Sequence, residues 1–396
     1  MEPWDYTLLG LAVVIFGIWC FSFFLHILSI IYGKWRLHRK VPAVLPDILP
    51  GVSILKPIVG VDPNLFENLE TFFNMKYPSY ELLFCIQDES DAAIMVVQSL
   101  INKYPKVDAK LFLGGKKVGV NPKINNMVTG YDAAKFETVL ISDSRIKMAE
   151  DTLLDMVLTM TEKVGIVHQM PYACTRKGFP SHLEKVYFGT QHAKMYLVSD
   201  CLGINCCTGM SCLIRKDVLE KAGGLRQFGQ YLAEDYFLSQ AFINRGWKVC
   251  ISSQTARQNC GTYSMTDLHN RLLRWIQLRT SMVPTLILLE PISQCLIIGS
   301  LASWASAFLF DSSPLVFFLI HLLAWFLLDY ILISIIEHGD LPFSKFDFVV
   351  GWLLNEVSYI FLILRSHFNS KIVWRNRTFR LRWGGIIEEL HSKQNV

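Results

Sequence analysis

Acidic residues recur through the first two thirds of the chain, and several follow apolar runs. Asp88 and Asp91 stand in Gln87-Asp88-Glu89-Ser90-Asp91, Asp143 in Asp143-Ser144-Arg145, and Glu234-Asp235 precede Arg271-Leu272-Leu273-Arg274-Trp275. Carboxylate oxygens suit two kinds of chemistry: holding a hard divalent cation beside phosphate, and taking a proton from a weak nucleophile. Arginines suit a diphosphate, which their planar fork grips through parallel N–H donors. Taken one at a time, each acid reads more readily as a helix cap or a solvated loop residue. The inference rests on where the acids fall in the pattern of elements.

That pattern alternates. Val52-Ser53-Ile54-Leu55 is a short apolar run that should end at Lys56-Pro57, and Glu81 to Ile86 should be a strand ending at Gln87-Asp88. Ala109 to Leu113 stops at Gly114-Gly115, and Thr138 to Ile141 stops at Ser142-Asp143. Asn64 to Asn74, Ala92 to Tyr104 and Lys123 to Lys135 have helical periodicity, with Pro63 and Pro122 placed where helices begin. Strand and helix in alternation predict an α/β fold with a mostly parallel, doubly wound sheet. Ligands of such sheets bind beyond the carboxyl ends of the strands, where Asp88, Asp91 and Asp143 fall, so a nucleotide site is the economical reading. No G-x-G-x-x-G or Walker sequence is present, which argues against a dinucleotide oxidoreductase or a P-loop enzyme.

The chain as a whole is too apolar for an ordinary soluble enzyme: 52% of its 396 residues are hydrophobic and 18% charged. Leu8 to Tyr32 carry no Asp, Glu, Lys or Arg, enough helix to cross a hydrocarbon core of about 30 Å. Glu2 and Asp5 precede this span, whereas Lys34, Arg36, Arg39 and Lys40 follow it, so the stretch after it, which carries Asp88, Asp143 and Asp235, should face the cytosol. The net charge of +4 suits anionic lipid headgroups better than nucleic acid. Ten cysteines show no paired C-x-x-C spacing, which predicts reduced thiols. Tyr196 to Ile214 resembles a span superficially, but Asp200, Asn205 and a crossing that would part Asp143 from Asp235 speak against it.

Together the motifs resemble the inverting, nucleotide-sugar glycosyltransferases of family two, with the GT-A fold, and within them the ceramide-glucosylating branch. The resemblance is carried by Gly51-Val52-Ser53-Ile54-Leu55-Lys56-Pro57, Asp62-Pro63-Asn64-Leu65, Gly114 to Asn126, Thr208-Gly209-Met210-Ser211-Cys212, Ala233-Glu234-Asp235-Tyr236-Phe237 and Arg271 to Trp275, and runs from the first apolar segment to the carboxyl tail. It implies transfer of glucose from UDP-glucose to the primary hydroxyl of ceramide, with inversion, in the Golgi membrane. It implies Asp235 as the base that takes the acceptor proton, and Asp143 as ligand to Mg²⁺ or Mn²⁺. Asp91 and Asp88 would hold the uridine or ribose, Lys123 and Asn125 would meet the nucleotide at a helix start, and Arg271 and Arg274 would pair with the diphosphate. Trp275, His192 and Cys206 would lie near the acceptor. Asp235 has an ordinary pKa of about 3.9, low for a base, and burial or Glu234 is expected to raise it.

Two positions depart from the pattern. Arg145 stands where many relatives carry a further acid, so metal binding would rest on one carboxylate, and Arg271 replaces the glutamine usual in processive synthases, which leans toward a single transfer. The expected organisation is a transmembrane anchor at 8–32, a cytosolic catalytic domain at 33–265, an amphipathic interfacial region at 266–290, membrane segments at 291–365 and a basic tail at 366–396. Three apolar stretches occur near 292–310, 315–336 and 349–364; a cytosolic tail requires an even number of crossings, so one of them should be re-entrant or interfacial. Asn376-Arg377-Thr378 is a glycosylation sequon whose occupancy would place the tail in the lumen instead. A processive synthase, a polyprenyl-phosphate sugar transferase and a non-catalytic nucleotide-sugar scaffold are the rival readings.

Overall fold

The computed structural model describes residues 3–40, 48–261, 264–368, 371–374, 377–382 and 384–390; Asn376 of the sequon lies outside them. The chain divides into two compact units, one formed by 36–175, 199–264 and 373–396, the other by 1–35, 176–198 and 265–372. The segment 176–198, expected within the catalytic domain, groups instead with the helical unit.

The first unit is built on a seven-stranded sheet. Its strands are β1 (Val52–Ile58), β2 (Tyr80–Ile86), β3 (Ala109–Leu113), β4 (Thr138–Ser142), β6 (Val164–His168), β8 (Ser211–Arg215) and β9 (Lys248–Ile251); β5 (Ile146–Lys147), β7 (Pro171–Ala173) and β10 (Ala256–Gln258) form a separate small sheet. The order is β3-β2-β1-β4-β8-β6-β9. β1 pairs in parallel with β2 and β4, β2 with β3, and β6 with β9, while β8 runs antiparallel to both neighbours. This is the mostly parallel sheet expected, with one reversed strand. Helices Leu65–Phe73 and Ala93–Lys103 cover one face through Leu69, Phe72, Val97 and Leu100; Pro122–Asp132 covers the other through Ile124 and Met127. All six of these side chains are fully buried, each worth about 1.5–3 kcal/mol of transfer free energy for the larger ones.

One expected boundary shifts. β1 does not end at Lys56-Pro57 but continues to Ile58. Its ladder to β4 stops at Leu55 opposite Ile141, so the N–H that Pro57 lacks is not needed on that side. Tyr196 to Ile214 is, as argued, no span: a helix ends at Leu202 and β8 begins at Ser211. Arg36, one of the basic residues that follow the first apolar span, is buried. It is 6% exposed, donates to the Ile251 carbonyl and lies 3.9 Å from Asp200.

The second unit is helical. Tyr6–Leu37, Pro314–Glu337 and Lys345–Phe368 are each long and apolar enough to cross a bilayer. Leu286–Ile292 and Cys295–Phe310 meet at a bend of 76°, next to Pro291, which cannot continue the helical hydrogen-bond ladder. Of the three later apolar stretches, the first is therefore the broken one. Buried polar groups tie the long helices together: Asp329 accepts from Trp352 Nε1 at 2.8 Å and lies 3.1 Å from His26 Nε2. The helix Phe179–Tyr187 packs on this bundle, with Asn355 donating to the Leu183 carbonyl at 3.1 Å.

Candidate active site

Asn121 shows how the sequence builds the site locally. Its side-chain oxygen accepts from the backbone N–H of Lys123 at 2.8 Å and Ile124 at 3.3 Å, capping the helix that Pro122 opens. Its amide nitrogen donates to Glu234 Oε2 at 2.8 Å and to the Tyr231 carbonyl at 2.7 Å. One buried side chain thus starts the helix and fixes the acid pair. The Asn-Pro dipeptide was the available signal for it, and sequence reasoning passed over it.

Lys123 is the centre of the cluster. Its ammonium lies 2.9 Å from Asp143 Oδ1 and 3.2 Å from Glu234 Oε1, and donates to the Gly209 carbonyl at 2.8 Å. Burial works against this charge, but Asp143 and Glu234 outweigh it and hold the lysine protonated above its ordinary range. Asp235 is oriented by two backbone donors, Gly209 N–H to Oδ2 at 2.7 Å and Tyr236 N–H to Oδ1 at 2.9 Å. Burial, then the charge of Glu234, raise its pKa to about 6, against the opposing pull of Lys123 and the two backbone donors. Gly209 fits because it has no side chain: a Cβ there would lie 3.2 Å from Lys123 Nζ and 3.3 Å from both Asp235 Cβ and Glu234 Oε1.

Beneath Asp143 lies a group that sequence reasoning missed. Lys56 is fully buried at the end of β1, where its ammonium donates to the Asp143 carbonyl at 2.7 Å and Ser142 Oγ at 3.2 Å, 3.6 Å from the centre of the Phe72 ring. Desolvation pushes its pKa well below the lysine range, partly offset by Asp143. A lysine inside an apolar strand was its only signal. Arg145, the departure from the family pattern, turns to Asp62, 3.4 Å away.

The remaining expected residues separate. Asp88 closes a turn by accepting from Ser90 N–H and Oγ, at 2.9 and 2.7 Å. Asp91 accepts from Gly60 N–H at 2.7 Å and Ala93 N–H at 2.9 Å, joining the loop after β1 to the helix after β2. Asn125 spends its side chain on the loop 118–119, accepting from the N–H of Val118 and Gly119 and donating to the Gly119 carbonyl. Cys206 is partly buried in the loop before β8, and none of the ten cysteines is in a disulfide.

Arg271, Arg274, Trp275 and His192 lie in the helical unit. Arg271 is 3.2 Å from Glu184, a carboxylate that also pairs with Arg176, and stacks over Trp275 at 4.6 Å. Trp275 stacks on His192, ring centres 5.3 Å apart and planes 11° from parallel. His192 is 4% exposed and neither ring nitrogen has a hydrogen-bond partner. Burial, then Arg279 and Arg271, push its pKa well down, so it stays neutral.

The donor set also bears on a metal. Among the described residues, no three His, Cys, Asp or Glu side chains converge as a cage. Asp143 spends Oδ1 on Lys123 and its side chain is 40% exposed, which fits a hard cation held by one carboxylate and otherwise by phosphate and water.

With this geometry in view, the comparisons are specific. The family described as glycosyl transferase family 21 matches residues 21–387. The chain is 43% identical to ceramide glucosyltransferase 3 of Caenorhabditis elegans over 383 residues, covering 96% of this chain and 83% of that protein. It is 43% identical to ceramide glucosyltransferase 1 of the same organism, covering 99% and 84%. Ceramide glucosyltransferase of Komagataella phaffii is 28% identical, covering 91% and 87%. Among solved structures, the mannosyltransferase PcManGT of Pyrobaculum calidifontis, in complex with GDP-Man and Mn²⁺, superposes with a TM-score of 0.52 at 16% identity, over 91% of this chain and 96% of that one. That likeness is one of fold.

Proposed function

The chain belongs to glycosyl transferase family 21, and from that membership we propose that it transfers glucose from UDP-glucose to the primary hydroxyl of ceramide, giving β-glucosylceramide with inversion. The observation that carries the chemistry is the meeting of Lys123, Asp143, Glu234 and Asp235 around Gly209.

An alcohol is a poor nucleophile until its proton leaves as the new bond forms. Asp235 takes that proton on a carboxylate oxygen; with a pKa of about 6, some nine tenths of it is ionised at pH 7, yet it is more basic than an ordinary aspartate. The Gly209 and Tyr236 N–H groups keep the carboxylate oriented while the charge changes. The bond from the acceptor oxygen to the anomeric carbon forms as the bond to UDP breaks, in one displacement, so inversion follows and no sugar–enzyme intermediate is needed. Asp143 would hold a divalent cation, Mg²⁺ or Mn²⁺, which neutralises the charge gathering on the diphosphate. Lys123 sets a fixed positive charge between Asp143 and Glu234 and keeps the two carboxylates at a defined separation. Asp91 and Asp88, in the loop after β2, suit the uridine or ribose.

The sheet unit faces the cytosol, where UDP-glucose is available, and the apolar helices hold the chain in a Golgi membrane that supplies ceramide. The charge asymmetry around Tyr6–Leu37 supports that orientation; with the bent pair Leu286–Ile292 and Cys295–Phe310 taken as re-entrant, two full crossings would follow the sheet unit. Arg271 in place of glutamine supports a single transfer. Incubating the purified chain in nanodiscs with labelled UDP-glucose and ceramide, then resolving the lipids, tests the reading. A single hexose on ceramide is expected; a polymer or a glycosylated polyprenyl phosphate would favour the rival enzymes.

A further inference from the structure

The helical unit contains a cavity of about 130 Å³ that the reaction chemistry above does not use. Its volume corresponds to on the order of ten water-sized positions, enough for a small polar head but not for a lipid chain. Tyr187, His192, Arg279, Glu290 and Tyr359 form its polar wall, and Leu286 and Leu289 its apolar one. Leu289 is 57% exposed, so this wall continues onto the outer surface of the bent helix pair.

The polar wall is arranged unevenly. Glu290 Oε1 accepts from Arg279 Nη2 and from the Tyr359 hydroxyl, both at 2.6 Å, and Arg279 also donates to that hydroxyl at 2.9 Å. Glu290 Oε2 is buried without a hydrogen-bond partner, and so are both ring nitrogens of His192. The Glu290 side chain is 10% exposed. Leaving a buried acceptor unpaired is unfavourable, more so for a charged group, unless a ligand completes it. One oxygen is thus clamped, and the other is a buried acceptor without a donor on a side chain that lines the cavity.

We propose that this cavity holds the head of a long-chain acceptor lipid, Glu290 Oε2 accepting a hydrogen bond from its amide N–H, so that Glu290 selects N-acylated lipids over their ester-linked counterparts. The inference rests on ceramide being the acceptor and adds the residue that recognises it. A site built to accept a hydrogen bond rejects an analogue without the donor far more strongly than an apolar pocket rejects a lost methylene. The apolar wall and its exposed continuation suit the acyl and sphingoid chains, which stay in the bilayer while the head enters.

The test compares ceramide with its ester analogue, in which oxygen replaces the amide N–H, as acceptors for the full chain in nanodiscs. The wild-type chain is expected to favour the amide by about tenfold or more in kcat/KM. Glu290→Gln is expected to lower kcat/KM for ceramide by about tenfold, to change that for the ester by less than about threefold, and to leave the KM for UDP-glucose unchanged. Tyr359→Phe, which keeps the carboxylate and loosens its clamp, should shift the amide-to-ester ratio the same way by less. An unchanged ratio in folded Glu290→Gln, or an equal loss on both acceptors, would overturn the proposal while leaving ceramide glucosylation standing. If the wild-type chain turns over neither lipid, the reading of the reaction fails, and a photoreactive ceramide applied without donor decides the cavity separately. Labelling of 286–290 that the amide but not the ester competes away supports it, and absence of such labelling refutes it.

Discussion

The Lys123 ammonium stands 2.9 Å from Asp143 Oδ1 and 3.2 Å from Glu234 Oε1, so the acid assigned to the donor and the acid pair assigned to the acceptor share one cation. Lys123→Met should leave these carboxylates facing each other uncompensated. Activity is expected to fall by about a hundredfold or more, and the acidic limb of the pH–rate profile to move upward, because Lys123 holds the Asp235 pKa down. Lys123→Arg should not rescue, since a planar fork does not replace a compact ammonium that also reaches the Gly209 carbonyl.

Asp235 fixes the pH dependence. The base must be ionised, so kcat/KM for the acceptor should decline with a slope of one as pH falls through about 6. For stability the sign is the opposite. The folded pKa lies above the unfolded one of about 3.9, so this group's contribution is fully present below that value and lost as pH rises through the folded pKa. Asp235→Asn should therefore be at least as stable as the parent at pH 7.5, by about 1–3 kcal/mol at most, as read by denaturant or thermal unfolding.

Lys56 acts on Asp143 from below. A buried cation is costly to desolvate, and replacing it with an apolar residue of similar size is often neutral or stabilising. Lys56→Met should keep or raise the unfolding midpoint of the sheet unit, while loosening the Asp143 carbonyl enough to raise the KM for UDP-glucose and cut kcat by about tenfold. Loss of stability with unchanged donor kinetics would make Lys56 a packing residue only.

Gly209→Ala introduces a methyl 3.2–3.3 Å from Lys123, Asp235 and Glu234 at once. These side chains must give way by a few tenths of an ångström, and β8 begins only two residues later, so the change falls in the turn and leaves the sheet in place. Secondary structure by circular dichroism should be unchanged and the rate reduced by about ten- to a hundredfold.

The elements were legible because their signals are local. Apolar runs ended at Asp or Gly for β2, β3 and β4, and the helices at 65–73, 93–103 and 122–132 fell within a few residues of their expected ranges. Asp88, Asp91 and Asp143 could be placed after strands, but not who would sit beside them. Lys123 was expected at a helix start facing nucleotide; its place between Asp143 and Glu234 depends on Asn121 bridging 113 residues to Glu234, a contact without periodicity. Lys56 was hidden for a related reason, since its partner is a backbone carbonyl 87 residues away. Arg271 carried a family signature, and its pairing with Glu184, again 87 residues distant, could not be read from spacing.

The most direct measurement is the transfer rate of Asp235→Asn with ceramide and labelled UDP-glucose, taken with the variant's UDP-glucose affinity. The account predicts glucosylceramide formation reduced by about 10²–10⁴-fold, with donor binding and folding intact. A variant that keeps more than a tenth of the parent rate, on a correctly folded chain, would contradict it.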